Sequence, residues 1–226
     1  MTTDAKRARA RALAAEAIAA GEPEAWFERL YQEAEAGEAI VPWDDRRANP
    51  LLVAWLDRHA APRLGARALD VGCGTGDNAG ELASRGWAVT AFDVAPTAVA
   101  VASVRFPEVT CEVASALDPP PAWREAFDLV VEIYTLQVLP PAERARAAQA
   151  LAGLVAPGGT LLVIARAREV DDPPGAMPWP LVEAEIRAIG ETSGLVCAEL
   201  GAVLDDETPP VRRWVAAFTR PARAEG

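Results

Sequence analysis

From Gly65 onward the chain repeats one pattern, in which a short apolar run is followed by turn residues and then by a longer helix-favouring stretch. This alternation is typical of a parallel sheet with helices on both faces. The apolar runs predict seven strands, at residues 66–71, 88–92, 109–113, 127–133, 160–165, 195–200 and 211–219. Helices are predicted between them at 78–85, 96–105, 141–155 and 180–193. No helical stretch separates the last two runs, so we expect them to form an antiparallel pair at one edge.

The first 60 residues have a different pattern. Helix-favouring stretches, the first of them Ala-rich, occupy 4–20, 24–36 and 50–60, and Gly21 and Gly37 end the first two. We therefore expect two domains, a helical cap at 1–60 and an α/β domain at 61–226. The predicted fold class is α/β, with a mostly parallel seven-stranded sheet, helices on both faces and an N-terminal helical cap.

Charge and composition exclude several classes of function. The 22 basic and 33 acidic residues give a formal charge of -11, which disfavours nucleic acid and anionic membranes as partners. The 3 cysteines lie far apart without a nearby histidine, so neither a zinc site nor a disulfide framework is predicted. No stretch approaches the ~20 apolar residues of a membrane span. We expect a cytoplasmic protein without metal, a monomer or a homodimer, that acts on a small molecule.

A glycine-rich turn follows the first predicted strand. Asp70 is the last but one residue of that strand, and the glycines at 72, 74 and 76 allow a sharp turn and close approach of backbone N–H groups to a ligand. Asn78 and Glu81 have the spacing of a capping box, which places a helix start beside the turn. The next strand ends in Asp93, where a carboxylate can accept hydrogen bonds from a ribose diol. Together these features predict a nucleoside ligand.

These segments resemble a known family. Residues 69–76 (LDVGCGTG) are similar to the first motif of class I S-adenosylmethionine methyltransferases, residues 91–93 (AFD) to their second, and residues 154–161 (LVAPGGTL) to the loop before their fifth strand. The resemblance extends over about 65–219 and implies a Rossmann-like fold with S-adenosylmethionine as cofactor. The G-x-G-x-G spacing differs from the G-x-G-x-x-G of dehydrogenases.

The resemblance also implies which residues bind the cofactor. The glycine turn would lie under the methionine part, and Asp93 would hold the ribose. Many members carry an acidic residue after the third strand that meets the adenine amine, whereas Ser115 stands there in this chain, so we expect backbone groups around Ala116 and Leu117 to contribute instead. The full predicted set is Asp70, Gly72, Cys73, Gly74, Gly76, Asp93, Val94, Ser115, Ala116, Leu117 and Glu132.

Candidate catalytic residues are fewer. Glu132 and Tyr134 end the fourth strand, at the family's position beside the reactive sulfonium, and Asp44 lies in the loop before the third cap helix. The segments PWD at 42–44 and PWPL at 178–181 are reminiscent of the thiopurine and thiol methyltransferase-like group. With Tyr134, their tryptophans Trp43 and Trp179 are the predicted substrate contacts.

Three functions remain open at this point. The first is a methyltransferase acting on a small S, N or O nucleophile, with thiol and heteroaromatic acceptors favoured. The second is an NAD-dependent oxidoreductase, since the same strand, turn and acidic residue also bind that ribose. The third is a regulator that binds S-adenosylmethionine without transferring its methyl group. The sequence does not identify the acceptor.

Overall fold

The computed structural model describes residues 3–59, 61–175 and 177–223. Three helices precede the sheet, α1 (Thr3–Ala19), α2 (Ala25–Glu35) and α3 (Pro50–Arg58), and we call this N-terminal segment the cap. The strands are β1 (Arg67–Val71), β2 (Ala88–Asp93), β3 (Thr110–Val113), β4 (Phe127–Ile133), β5 (Val155–Arg166), β6 (Val196–Leu204) and β7 (Arg212–Thr219). The helices after β1 are α4 (Asp77–Ser84), α5 (Pro96–Arg105), α6 (Pro141–Ala152) and α7 (Glu183–Glu191). Two short 3-10 turns lie at Pro121–Trp123 and Leu136–Val138.

The seven strands form one sheet in the order β3-β2-β1-β4-β5-β7-β6. Strands β1 to β5 are parallel, whereas β7 is antiparallel to both β5 and β6. The α/β Rossmann-like fold and the antiparallel pair are therefore confirmed. The direction of winding reverses between β1 and β4, and open α/β sheets bind their ligands at the carboxyl ends of the strands at such a point.

Several predicted boundaries were wrong. Strand β5 begins at Val155 rather than at 160, because the chain turns at Gly153 and pairs with Phe127 at once. Helix α7 begins only at Glu183. The predicted capping box at Asn78 is also wrong, since α4 begins at Asp77 after a left-handed Gly76. The Asn78 amide oxygen instead accepts a hydrogen bond from the backbone N–H of Asn49.

Apolar side chains fill both faces of the sheet, one cluster running from Leu69 to Phe218 and the other from Leu52 to Ala217. The cap contributes a third cluster, in which Trp26 and Leu30 pack with Val138 from the loop after β4. The division of the chain at residue 60 remains a prediction. Within the described ranges, no helix has both the length and the apolar character needed to cross a bilayer.

One carboxylate fastens the cap to the sheet. The two oxygens of Glu28, on α2, accept hydrogen bonds from the backbone N–H of Thr97 (2.9 Å) and from its hydroxyl (2.7 Å). Thr97 lies in the first turn of α5, where the helix dipole favours a negative charge. Glu28 thereby fixes α2 beside the end of β2.

We predict that Glu28→Ala lowers the free energy of unfolding by about 1 to 2 kcal/mol, because the side chain loses two half-buried hydrogen bonds with Thr97 and an exposed one with Gln32. Urea denaturation measures the change, and amide hydrogen exchange should become faster in α2. Glu35→Ala, at an exposed position of the same helix, is the control. Equal stability of the two variants would contradict this role of Glu28.

Candidate active site

A cavity of about 610 Å³ opens where β1 and β4 end. Its floor is the turn at residues 72–75, and Asp93 and Val94 line it from the end of β2. Tyr134 lines it from the end of β4, and cap residues such as Trp43 close it from above. The volume is within the range of pockets that hold one small ligand or cofactor. The cavity therefore lies at the reversal of strand order, as the fold predicts.

Two positions of the glycine turn, Gly72 and Gly74, leave no room for a side chain. Gly72 has a φ of 61° and Gly74 a φ of 53°, both in the left-handed region. A Cβ atom on Gly72 would lie 2.4 Å from the Thr135 hydroxyl, and one on Gly74 would lie 2.8 Å from the Tyr31 hydroxyl. The backbone of the turn is therefore in close contact with the β4 loop on one side and with the cap on the other.

Asp93 holds this turn in place. One of its carboxylate oxygens accepts the backbone N–H of Gly74 at 2.9 Å, and the other accepts that of Ala95 at 2.9 Å. Burial raises the pKa of Asp93 to about 6, although these hydrogen bonds oppose the shift. The side chain is 6% exposed and lines the cavity, so it links the turn to β2 while still facing a ligand.

Two further carboxyl groups lie beneath the cavity. Burial raises the pKa of Asp70 to about 8, and the nearby Asp93 adds to the shift. Burial also raises the pKa of Glu132 to about 7. One Glu132 oxygen accepts the backbone N–H groups of Thr135 (2.7 Å) and Leu136 (2.8 Å), and the other has no partner among the described residues. Glu132 therefore shapes the loop that follows β4.

The cap touches the glycine turn directly. The Tyr31 hydroxyl lies over Gly74 and accepts a hydrogen bond from the indole N–H of Trp43 at 3.1 Å. Asp44 accepts a hydrogen bond from the Thr75 hydroxyl at 3.1 Å. Trp43 also packs edge-on against Trp26, with ring centroids 5.9 Å apart. These contacts keep the cap closed over the turn.

The other end of the cavity is built around Tyr134. This residue has a φ of 69°, a strained conformation for a non-glycine residue that is often found at functional sites. Its hydroxyl accepts a hydrogen bond from the Asn49 side chain at 3.1 Å, and the guanidinium of Arg213 lies 4.6 Å from its ring centre. Arg213 is 4% exposed and is held by Asp205 at 2.6 Å and by Glu207.

The structure brings most of the predicted site residues to this cavity. Those that line it are Trp43, Asp44, Gly72, Cys73, Gly74, Asp93, Val94, Ala116 and Tyr134. Those that do not are Asp70, Gly76, Ser115, Leu117, Glu132 and Trp179. The 171–181 loop does reach the cavity, but through Met177 and Pro178 rather than through Trp179, whose backbone N–H donates to Gln137.

Sequence reasoning missed many lining residues, among them Glu24, Tyr31, Asn49 and Arg213. Asn49 carried a usable signal, since an Asn before Pro is a typical helix N-cap, and its side chain does accept the N–H of Leu51. The other three are ordinary helix or strand residues until the cap folds over the sheet. Within the described part of the chain, no cluster of His, Cys, Asp or Glu side chains is arranged to hold a metal ion.

The pKa of Glu132 predicts a pH effect on stability. Because the folded protein keeps this proton up to a pH of about 7, whereas the ordinary value is 4.5, stability should decrease as the pH rises from about 4.5 through 7. Glu132→Gln does not titrate. Relative to the parent, the variant should gain about 1 to 3 kcal/mol between pH 5 and pH 8.5.

Denaturant unfolding at the two pH values measures this difference. Any effect of the amide that does not depend on pH cancels, because each protein is compared with itself at the two pH values. Glu112→Gln, at an exposed position of β3, is the control and should follow the parent. If the free energy of unfolding changes equally with pH in Glu132→Gln and in the parent, the buried carboxyl does not control the pH dependence.

Comparison with known proteins agrees with this geometry. Residues 68–159 match the family model described as a methyltransferase domain. No curated protein matches the chain by sequence. A solved structure that concerns the conversion of a disulfide bond into a thioacetal group during echinomycin biosynthesis is 25% identical, with a TM-score of 0.70 over 88% of this chain and 94% of that one.

Two other solved structures share the fold. The N-methyltransferase NodS from Bradyrhizobium japonicum, in complex with S-adenosylhomocysteine, is 23% identical, with a TM-score of 0.65 over 84% of this chain and 98% of that one. The 1,6-didemethyltoxoflavin-N1-methyltransferase of Burkholderia thailandensis is 16% identical, with a TM-score of 0.60 over 98% and 91%.

S-adenosylmethionine fits the cavity. The glycine floor, the carboxylate at the end of β2 and the small residues of the wall suit a nucleoside. Acidic side chains outnumber basic ones in the lining, which suits a cationic sulfonium. The basic lining residues are Arg11, Arg47, Arg166 and Arg213. The strand order with an antiparallel β7 also departs from the 3-2-1-4-5-6 order of dinucleotide-binding folds. The methyltransferase domain at residues 68–159, this fold and the glycine turn identify an S-adenosylmethionine-dependent methyltransferase, with S-adenosylmethionine as its cofactor.

Proposed function

We propose that the protein methylates a small nucleophilic molecule, with a thiol or a heteroaromatic nitrogen as the acceptor. The observation that carries this proposal is the single cavity that runs from the glycine turn to the Tyr134 end under a closed cap. One end has the features of a nucleoside site. The other end offers an aromatic ring and a buried guanidinium, Tyr134 and Arg213, which suit a small planar or anionic acceptor.

The residues of the chain have distinct tasks in this proposal. The bound cofactor supplies an electrophilic methyl group on its sulfonium, so the protein has to orient the acceptor and exclude water. Gly72 and Gly74 provide the floor, and Asp93 provides acceptors for ribose hydroxyls. Trp43 and Met177 cover the cavity. Glu132 acts as a positioning residue, because its carboxyl group lies below the cavity and holds the loop that carries Tyr134.

Two carboxylates of the site, Asp205 and Asp44, favour an acceptor that needs no base. Although burial raises the pKa of Asp205, its hydrogen bonds with Val211 and Arg213 outweigh this effect and leave the pKa below the ordinary value. Asp205 is therefore a weak base. Asp44 is engaged by Thr75 and by Arg46, so we assign it to closing the cap rather than to proton transfer. Thiolates and ring nitrogens can attack without such help.

The comparisons give this choice some support. The solved structure that is 25% identical concerns chemistry at sulfur, and a more distant one acts on 1,6-didemethyltoxoflavin at N1. A hydroxyl acceptor would need a base with a pKa near neutrality in contact with it. Formation of S-adenosylhomocysteine with a panel of thiols, heteroaromatic amines and phenols tests the proposal. Turnover of phenols alone would overturn it.

We predict that Asp93→Asn lowers the affinity for S-adenosylhomocysteine at least about tenfold, because a charge-assisted bond to a ribose hydroxyl becomes a neutral one. Asn retains an oxygen for one of the two backbone N–H groups, so the turn is disturbed less than by Ala. Calorimetry at pH 8, where the parent carboxyl is ionised, measures the affinities. Asp57→Asn, at an exposed position of α3 outside the cavity, is the control.

Calorimetry of the parent with NAD, together with the acceptor panel, separates the alternative functions. An oxidoreductase would bind NAD in preference to S-adenosylhomocysteine, and a regulator would bind S-adenosylmethionine without forming S-adenosylhomocysteine with any acceptor. Unchanged affinity in Asp93→Asn would reject the ribose contact, whatever the acceptor proves to be.

We also predict that Trp43 reports on the filled cavity. Its indole lines the cavity and donates to Tyr31, so a ligand on the glycine turn changes its surroundings. Trp43→Phe should lose most of the fluorescence change that S-adenosylhomocysteine causes in the parent. Trp87→Phe, outside this cavity, should retain it. The closed-cap model is wrong if the two variants give the same signal change.

A further inference from the structure

The loop after β3 contains an unusual hydrogen-bond relay. The Ser115 hydroxyl accepts the backbone N–H of Leu117 at 3.0 Å and donates to the carboxylate of Glu24 at 2.7 Å. Ser115 and Glu24 are separated by 91 positions in the sequence, and the bond joins the cap to the sheet. The N–H of Leu117, which the sequence suggested as a contact for the adenine, is therefore already occupied.

Glu24 is well placed to contact a ligand. It is the residue that precedes α2, it is half-buried, and it lines the cavity together with Val94, Ala114 and Ala116. Ser115 occupies one of its carboxylate oxygens, Oε2, while Oε1 receives no hydrogen bond from any described residue. Glu24 also lies close enough to Asp93, the predicted ribose contact, to help raise the pKa of that carboxyl group by charge repulsion.

The surroundings of Glu24 match the base end of a nucleoside. Val94 directly follows Asp93 in sequence, so this part of the cavity continues from the ribose contact. Small apolar side chains, Ala114 and Ala116, leave room for a flat ring beside it. An adenine placed there carries an exocyclic amine that needs a hydrogen-bond acceptor. A hydrogen bond to a carboxylate is charge-assisted and therefore stronger than one to a neutral acceptor.

We propose that Glu24 accepts the exocyclic amine of the cofactor's adenine. A cap residue thus supplies the acidic group that is absent at Ser115, and Ser115 positions it. The proposal rests on the chain binding S-adenosylmethionine. It extends the site into the cap, because Glu28, one helical turn after Glu24, already fixes α2 to Thr97. Cofactor recognition and cap docking then share one helix.

Calorimetry tests the proposal by comparing how the parent and the variants bind two ligands that differ only in the purine amine. The two ligands are S-adenosylhomocysteine and its analogue in which hydrogen replaces the purine amine. Glu24→Gln should lower the affinity for S-adenosylhomocysteine about tenfold and leave that for the analogue unchanged. Ser115→Ala, which removes the positioning bond, should give a smaller loss with the same preference. Glu22→Ala, an exposed neighbour, should bind both ligands like the parent.

Each outcome has a separate meaning. Equal losses for the two ligands in Glu24→Gln, or no loss at all, would overturn the proposal. Failure of the parent protein to bind S-adenosylhomocysteine would instead reject the cofactor assignment. Asp93→Asn provides the comparison, since a ribose contact should weaken both ligands alike. Thermal melting of each unliganded variant confirms that it is folded before titration.

Discussion

The hydrogen bond from the Gly74 backbone to the Asp93 carboxylate is the contact on which the site depends. It joins the turn after β1 to the end of β2, and Ala95 takes the other carboxylate oxygen. A carboxylate fixed by two backbone N–H groups has few orientations, so its remaining lone pairs point in defined directions. Because Gly74 also lies against the Tyr31 hydroxyl, the position of the glycine turn also fixes how closely helix α2 approaches it.

Carboxyl groups with raised pKa values surround this contact. Asp70, Asp93 and Glu132 are buried, and burial raises the pKa of each toward or above neutrality. Such groups favour the neutral form until a positive charge lies nearby, and a sulfonium or ammonium group supplies one. The site is therefore electrostatically suited to a cation, and a cation bound there would favour the ionised form of these groups.

Local patterns predicted the sheet but only half of the site. Alternating apolar runs and glycine turns are properties of neighbouring residues, so the seven strands and the floor of the cavity followed from them. Asn78 shows the limit, because its expected capping role is replaced by a contact with Asn49 that only the docked cap creates. Tyr31 and Arg213 reach the cavity from opposite ends of the chain, and no spacing rule connects them.

The cap is consequently part of the binding site rather than a cover added to it. Tyr31 meets the turn after β1, Glu28 meets the helix after β2, and Ser115 after β3 meets Glu24. The loops after these three strands all contribute residues to the lining of the cavity. Since the cap contacts each of them, the residues that would bind the cofactor are also held by contacts that cover the cavity and limit the access of water. Exclusion of water and recognition of the cofactor therefore depend on the same interactions.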